Sequence, residues 1–130
     1  SADVIEHLKD DEKAIINMAQ MLKPNGRLII STLLGKMRDA EKQVGHLRNY
    51  KKSELTKIIE KTGLEIESIV TWGWPIYSPF YRNFLNIINN KGTMGNFGIT
   101  RKIICHILYL IFYFNSSKKG DYIFIKAKKS

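Results

Sequence analysis

Three groups of side chains in this sequence could do chemistry. Asp3, Glu6 and His7 stand in its first seven residues, and carboxylates with an imidazole suit a Mg²⁺-like or borderline divalent ion. Those groups alone are too few to hold one, because ligand number decides affinity, and no metal is expected. His46, Arg48 and Tyr50 fall within five residues: a base candidate whose ordinary pKa lies near neutrality, an anion binder and an aromatic wall. Trp72, Trp74 and Tyr77 gather around Pro75, where two indoles could stack on a planar substrate. Each group also has a plainer reading. His46 and Arg48 can equally cap or brace the helix that follows, and clustered aromatics serve as core or lid more often than as a substrate box. The single Cys105 sits in an apolar run and is expected as a buried structural thiol; one cysteine excludes an intramolecular disulfide framework and a multi-Cys metal site.

The elements that must position these groups can be read in order. Asp10 and Asp11 suit the N-cap and first turn of a helix, where carboxylates accept from unpaired N–H groups and meet the positive end of the dipole. Ile15, Met18, Ala19 and Leu22 then form one apolar stripe at helical spacing. Pro24 disfavours helical geometry at Lys23, and Asn25-Gly26 tolerates positive φ, so the helix stops near Leu22. Arg27 to Thr32 reads as a strand, and the consecutive Leu28, Ile29 and Ile30 suggest burial on both faces. Gly35 to Tyr50 is a polar connector without periodicity. Ser53 offers an N-cap for a helix carrying Leu55, Ile58, Ile59 and Thr62, closed by Gly63 in a left-handed C′ position. Leu64 to Thr71 alternates loosely, as in a half-exposed strand. Phe80, Phe84, Leu85, Ile87 and Ile88 permit a helix, Asn89 to Gly98 reads as a mobile loop, Ile103 to Phe114 as a helix, and Asp121 to Lys128 as a final, buried-type strand.

At this point the residues resemble a family. Asp-Val-Ile-Glu-His-Leu at 3–8, a helix ending Met-Leu-Lys-Pro-Asn-Gly-Arg-Leu-Ile-Ile-Ser, and Gly45-His46-Leu47-Arg48-Asn49-Tyr50 look like the second half of a class I S-adenosylmethionine-dependent methyltransferase of the type 11/12/23 kind. The resemblance is strong over residues 1–73 and weaker beyond. It implies an α/β fold, the carboxyl-terminal half of a Rossmann-like sheet, with Leu28–Thr32, Ile123–Ala127 and Leu64–Thr71 side by side as strands 5, 7 and 6. The last strand is then antiparallel. Residues 1–130 would form one partial domain, with 78–119 a variable helical or loop insertion before that strand. S-adenosylmethionine is the implied cofactor, with Asp3 and Val4 lining its methionine end, Glu6 fastening the loop, His46 as general base and His7 behind it. Arg48, Tyr50, Trp72 and Trp74 would then border the acceptor. The family's glycine-rich cofactor turn is not in this chain, because Gly92, Gly95 and Gly98 do not follow a strand. The implied activity is methyl transfer to an oxygen or nitrogen nucleophile of a small-molecule or lipid-like acceptor, as part of a longer enzyme.

Composition sets the remaining bounds. With 130 residues and 44% hydrophobic content, the chain can bury roughly two-thirds of its unfolded surface, enough for one domain. Residues 1–70 carry 12 Lys/Arg against 11 Asp/Glu, whereas 71–130 carry nine against Asp121 alone, so the basic excess lies in the second half. Those cations come as scattered pairs, Arg101-Lys102, Lys118-Lys119 and Lys128-Lys129, without the interleaved aromatics of a nucleic-acid platform. Ile103 to Phe114 is too short to span a bilayer. Lys102, His106, Tyr109 and Tyr113 mark one stripe of it, leaving an apolar arc around Ile104, Ile107, Leu108 and Ile111. Buried packing is the favoured reading of that arc. A peripheral membrane contact through 101–119 is the other, and a non-catalytic basic module for a membrane or protein partner is the rival to an enzyme. A cytoplasmic setting is expected from the polar amino terminus and single cysteine. A homodimer is possible through the open edge of Leu28–Thr32.

Overall fold

The structure is a computed structural model that describes residues 1–88 and 98–130. Its element order is α1 (Asp11–Met21), β1 (Arg27–Leu33), α2 (Asp39–Gln43), α3 (Lys52–Glu60), β2 (Leu64–Trp72), α4 (Arg82–Ile88), α5 (Ile99–Phe112) and β3 (Tyr122–Lys129). A 3₁₀ turn at Ile5–His7 precedes α1, and a wide π-type turn at Tyr77–Tyr81 leads into α4. The strands form one sheet in the order β1-β3-β2, with β3 antiparallel to both neighbours. That is the spatial order and direction the family resemblance implied.

Local chemistry sets the element ends. The Asp10 side chain accepts from Lys13 N at 3.2 Å and so caps α1. Asn25, at φ 62°, turns the chain after α1. Lys129 Nζ then closes the helix's carboxyl end by donating to the carbonyls of Ala19, Gln20 and Leu22 at 3.1, 3.3 and 2.9 Å, where a cation also meets the negative end of the dipole. At α3 the expected Ser53 cap is displaced: Lys51 is the N-cap, and the Glu54 carboxylate accepts its N–H at 3.2 Å. β2 alternates loosely because it carries a bulge. Ile66 faces Ala127 while Ser68 faces Lys126, leaving Glu67 between them. The Glu67 carboxylate gathers Arg27 and Lys126, both at 2.9 Å, and the hydrogen bonds from Arg27 and Lys126 pull its pKa down to about 2.

The core lies on one face of the sheet. Leu28, Ile30, Ile123, Ile125 and Ala127 pack against Ile15 and Ala19 of α1 and Leu55 and Ile59 of α3, each large side chain so buried contributing roughly 1.5–3 kcal/mol. The expected two-sided burial of β1 and β3 is not found. Ile29 is 55% and Phe124 41% exposed, because the elements after β2 collect at the strand ends around Trp72 and Tyr122 rather than across the second face. The edge of β1 away from β3 is not left bare: Ser31 N donates to Ser1 O at 2.9 Å and Asp3 N to Ser31 O at 3.1 Å, in parallel register.

Two further expectations are corrected. α5 buries none of its residues, so the packing reading of Ile103 to Phe114 fails over most of its surface and Cys105 is exposed. The polar connector 35–50 contains the five-residue α2, too short to print a period. The loop expected over Asn89 to Gly98 lies, but for Gly98, outside the described residues. Residues 78–119 hold the end of the wide turn, α4 and α5. Among the described residues no helix is long and apolar enough to cross a membrane.

Candidate functional site

The loop after β1 runs out through α2 and returns alongside the strand's end. Leu34 pairs with Tyr50, through Tyr50 N to Leu33 O at 3.2 Å and Gly35 N to Tyr50 O at 2.9 Å. Gly45 makes the return possible by adopting φ 93°, which a side chain rarely tolerates. The following residues then lie on the 3₁₀ turn, with Leu47 N donating to Glu6 O at 2.8 Å. The consequence is a site that spans 39 residues of sequence: the rings of His7 and His46 meet edge to face with centroids 4.6 Å apart.

Glu6 completes the group. It is fully buried, one carboxylate oxygen accepts from Thr32 Oγ1 at 2.9 Å, and the other, Oε1, has no partner among the described residues. His46 Nδ1 is likewise buried and unpartnered. Donor atoms of Glu6, His7 and His46 all lie within 4.8 Å of one another. A buried polar atom left unpaired costs roughly 1–3 kcal/mol, so one such atom on each of Glu6 and His46, both members of this cluster, calls for a reason. Chemically the trio can hold and pass a proton between imidazole and carboxylate, and its donors are also of the kind a borderline divalent ion takes. Asp3, grouped with Glu6 and His7 on sequence, is not in it; His46 takes its place. Asp3 instead accepts from Tyr122 Oη at 2.5 Å, and burial together with that hydrogen bond raises the Tyr122 pKa. Val4 is exposed beside it.

The remaining expected residues separate. Tyr50 is buried and donates to Asp11 Oδ2 at 2.6 Å. Arg48 pairs with the same carboxylate and donates to Lys9 O at 2.9 Å. Burial would raise the Asp11 carboxyl, but the hydrogen bonds from Tyr50 and Arg48 and the Arg48 charge hold it below its ordinary value. Both residues therefore brace the start of α1, beside a groove between α1 and α3. Trp72 lies elsewhere, with Val70, Tyr77, Tyr122 and Phe124 around a cleft of about 450 Å³ on the open sheet face. Trp74 is not in that cleft; Lys119 Nζ sits 5.7 Å from its ring centroid. Tyr122 links the cleft to Asp3.

What holds the loop was not foreseen. Arg82, 3% exposed, donates to Glu41 Oε1 from Nε and Nη2 at 2.9 and 2.5 Å and to Asp121 Oδ2 at 2.6 Å. Glu41 Oε2 accepts from Arg38 N and Asn49 Nδ2, both at 2.9 Å. Burial opposes the Glu41 charge, but the Arg38 N–H, Arg82 and Asn49 outweigh it and leave its pKa lowered. α2, α4 and the start of β3 are thus fastened together. A sequence signal was available: Asp121 is the only acid between Glu67 and the last residue, and Arg82 is a lone cation in an aromatic run.

Comparison with known proteins agrees with this architecture. The model of the methyltransferase domain family matches residues 1–69. A candidate methyltransferase from Bacillus halodurans C-125 superposes with a TM-score of 0.59 at 18% identity, covering 98% of this chain and 67% of that one. Phosphoethanolamine N-methyltransferase 2 of Haemonchus contortus, solved with S-adenosyl-L-methionine, gives 0.51 at 19% identity over 99% of this chain and 32% of its own. The cyclase SpnF gives 0.53 at 16%, over 99% and 47%. The chain thus spans about a third and a half of the latter two. No curated protein matches the sequence significantly. These likenesses establish the fold, and the cyclase among them shows that the fold alone does not fix the reaction. The family match covers more than half of the sequence, over the stretch that builds the Glu6–His7 turn and β1, and the chain belongs to the class I S-adenosylmethionine-dependent methyltransferases.

Proposed function

We propose that this chain serves, as part of a longer enzyme, methyl transfer from S-adenosylmethionine to an oxygen or nitrogen nucleophile of a small-molecule or lipid-like acceptor, with His46 as the general base. The observation that carries the reading is the convergence of Glu6, His7 and His46 within 4.8 Å at the end of β1. When bound, the cofactor supplies a methyl group on a sulfonium, a reactive leaving group already in place. The protein's task is then to align the acceptor and take its proton. His46 accepts that proton, His7 stands against its ring, and the buried Glu6 carboxylate stabilises the imidazolium that results. The residues present fit one flank of the cofactor. Asp3 is exposed, its backbone N–H donating to Ser31 O and its carboxylate accepting from Tyr122; that carboxylate is suited to the methionyl ammonium, and Val4 offers an apolar side chain next to it. A glycine-rich turn is not among the residues here. The cleft of Val70, Trp72, Tyr77, Tyr122 and Phe124 accommodates the acceptor's apolar body.

The test is formation of S-adenosylhomocysteine by the complete enzyme with a panel of phenols, amines and lipid-linked acceptors. His46→Ala lowers turnover by roughly 10²–10⁴ while S-adenosylhomocysteine binding, followed by titration calorimetry, stays unchanged. Turnover unaffected by His46→Ala removes the base assignment.

A further inference from the structure

The α4–α5 face answers to neither the cofactor flank nor the proton-handling trio. Leu108 and Phe112 turn α5 toward the body, where Phe112 meets Trp72, Tyr77 and Tyr81. On the opposite side Ile99, Ile103, Ile107 and Leu110, at i, i+4, i+8 and i+11, are 78%, 55%, 51% and 65% exposed. A helix stripe of that spacing normally faces a core. A second apolar surface lies on the flank of α5 that faces α4. Phe80 and Phe84 are exposed and join Leu108 and Ile111 around an apolar cleft of about 390 Å³.

Charge identifies what covers it. Arg101 and Lys102 stand in the first turn of α5, Lys118 and Lys119 follow its end, and no acidic residue occurs between Glu67 and Asp121. Tyr109 and Tyr113 are exposed along the border of the stripe, and Trp74 lies under Lys119. Aromatic rings with a polar tip and Lys side chains with long apolar stems sit well at a lipid–water boundary. A second copy of this chain would bring the same cations against themselves; an anionic leaflet complements them. We infer that the α4–α5 face docks on a bilayer containing anionic lipid, with α5 lying in the interface plane and its Ile/Leu stripe among the acyl chains. This stands apart from the methyl-transfer reading, since docking needs no cofactor.

Co-sedimentation of the full chain with mixed phosphatidylglycerol–phosphatidylcholine vesicles and with pure phosphatidylcholine vesicles tests it, with sedimentation velocity of the chain alone alongside. Binding to the anionic vesicles, weakened by salt, is expected. Ile107→Asp/Leu110→Asp should lower it at least tenfold without changing the circular dichroism spectrum, because both side chains are exposed. Lys118→Glu and Lys119→Glu should each lower it roughly fivefold or more. Absence of binding to anionic vesicles overturns the inference. So does binding indifferent to these variants, or self-association lost in the Ile107→Asp/Leu110→Asp chain in place of vesicle binding, which would give the face to a second copy.

Discussion

Arg82→Met should be among the most damaging single changes outside the apolar core. The guanidinium is 3% exposed and ion-paired to Glu41 and Asp121 at 2.5 and 2.6 Å. Removing one member of a buried pair costs roughly 3–5 kcal/mol, because the other charge is left uncompensated. Here the low end applies. Glu41 keeps the Arg38 and Asn49 hydrogen bonds on Oε2, Arg38 Nη1 already stands 3.8 Å from Oε1, and Asp121 has solvent to turn to. For 130 residues the unfolding entropy is about 0.27 kcal/mol/K, so a loss of about 3 kcal/mol lowers Tm by about 11 °C. Calorimetry or urea unfolding monitored by circular dichroism measures it. The reasoning also fixes a second arm. Glu41→Gln placed on Arg82→Met removes the stranded charge and should recover at least half of the loss, a coupling of about 1.5 kcal/mol or more. Arg82→Met within about 0.5 kcal/mol of the parent, the scatter of ordinary surface changes, would refute it; so would additive single effects.

Two further outcomes follow from the same geometry. Gly120 has φ 141°, and a Cβ there would lie 1.9 Å from Trp72 O; Gly120→Ala should therefore separate the start of β3 from the end of β2 and lower stability by at least the roughly 1–3 kcal/mol of a strained backbone, and an unchanged urea midpoint would show that the two segments part freely. Asp11 and Glu41 both have lowered pKa values in the folded chain, so the unfolded chain binds more protons in acid: their contribution is present above the unfolded values of about 3.9 and 4.3 and is lost as pH falls through the folded ones. Unfolding free energies measured between about pH 6 and pH 3 should fall with acid, less steeply in Tyr50→Phe, which removes a hydrogen bond that holds Asp11 down; identical slopes would detach Tyr50 from that titration.

The parts legible in the sequence were those set by nearest neighbours. Asp10, Pro24 and Asn25 bounded α1 because capping and turn preferences act over a few residues. Strand order was legible through the family resemblance; the register, Arg27 against Lys128 through Leu33 against Tyr122, was not. The bulge at Glu67 was not legible, since an extra residue only blurs the alternation. The His7–His46 contact depends on Gly45 and on Leu34–Tyr50 pairing, and nothing in either histidine's own neighbourhood announces it. Arg48 and Tyr50 look like ligand groups in isolation, yet Asp11, 37 and 39 residues earlier, claims both. α5 misled in the opposite sense: an apolar run with helical spacing implies a neighbour, and among the described residues Ile99, Ile103, Ile107 and Leu110 stay more than half exposed.

The middle strand of the sheet is the last of the three to be made. β1 pairs with β3 from Arg27 against Lys128 to Leu33 against Tyr122, and β2 touches β1 only through it. On a ribosome, β1 and β2 therefore emerge without the strand that joins them and wait, at about 5–20 residues per second, until β3 has cleared the exit tunnel. During that interval Leu28, Ile30 and Leu64 have only α1 and α3 to shelter them. The nascent chain is thus a natural client for a holding chaperone, and a stop codon just ahead of Tyr122 would leave β1 and β2 without the strand that joins them.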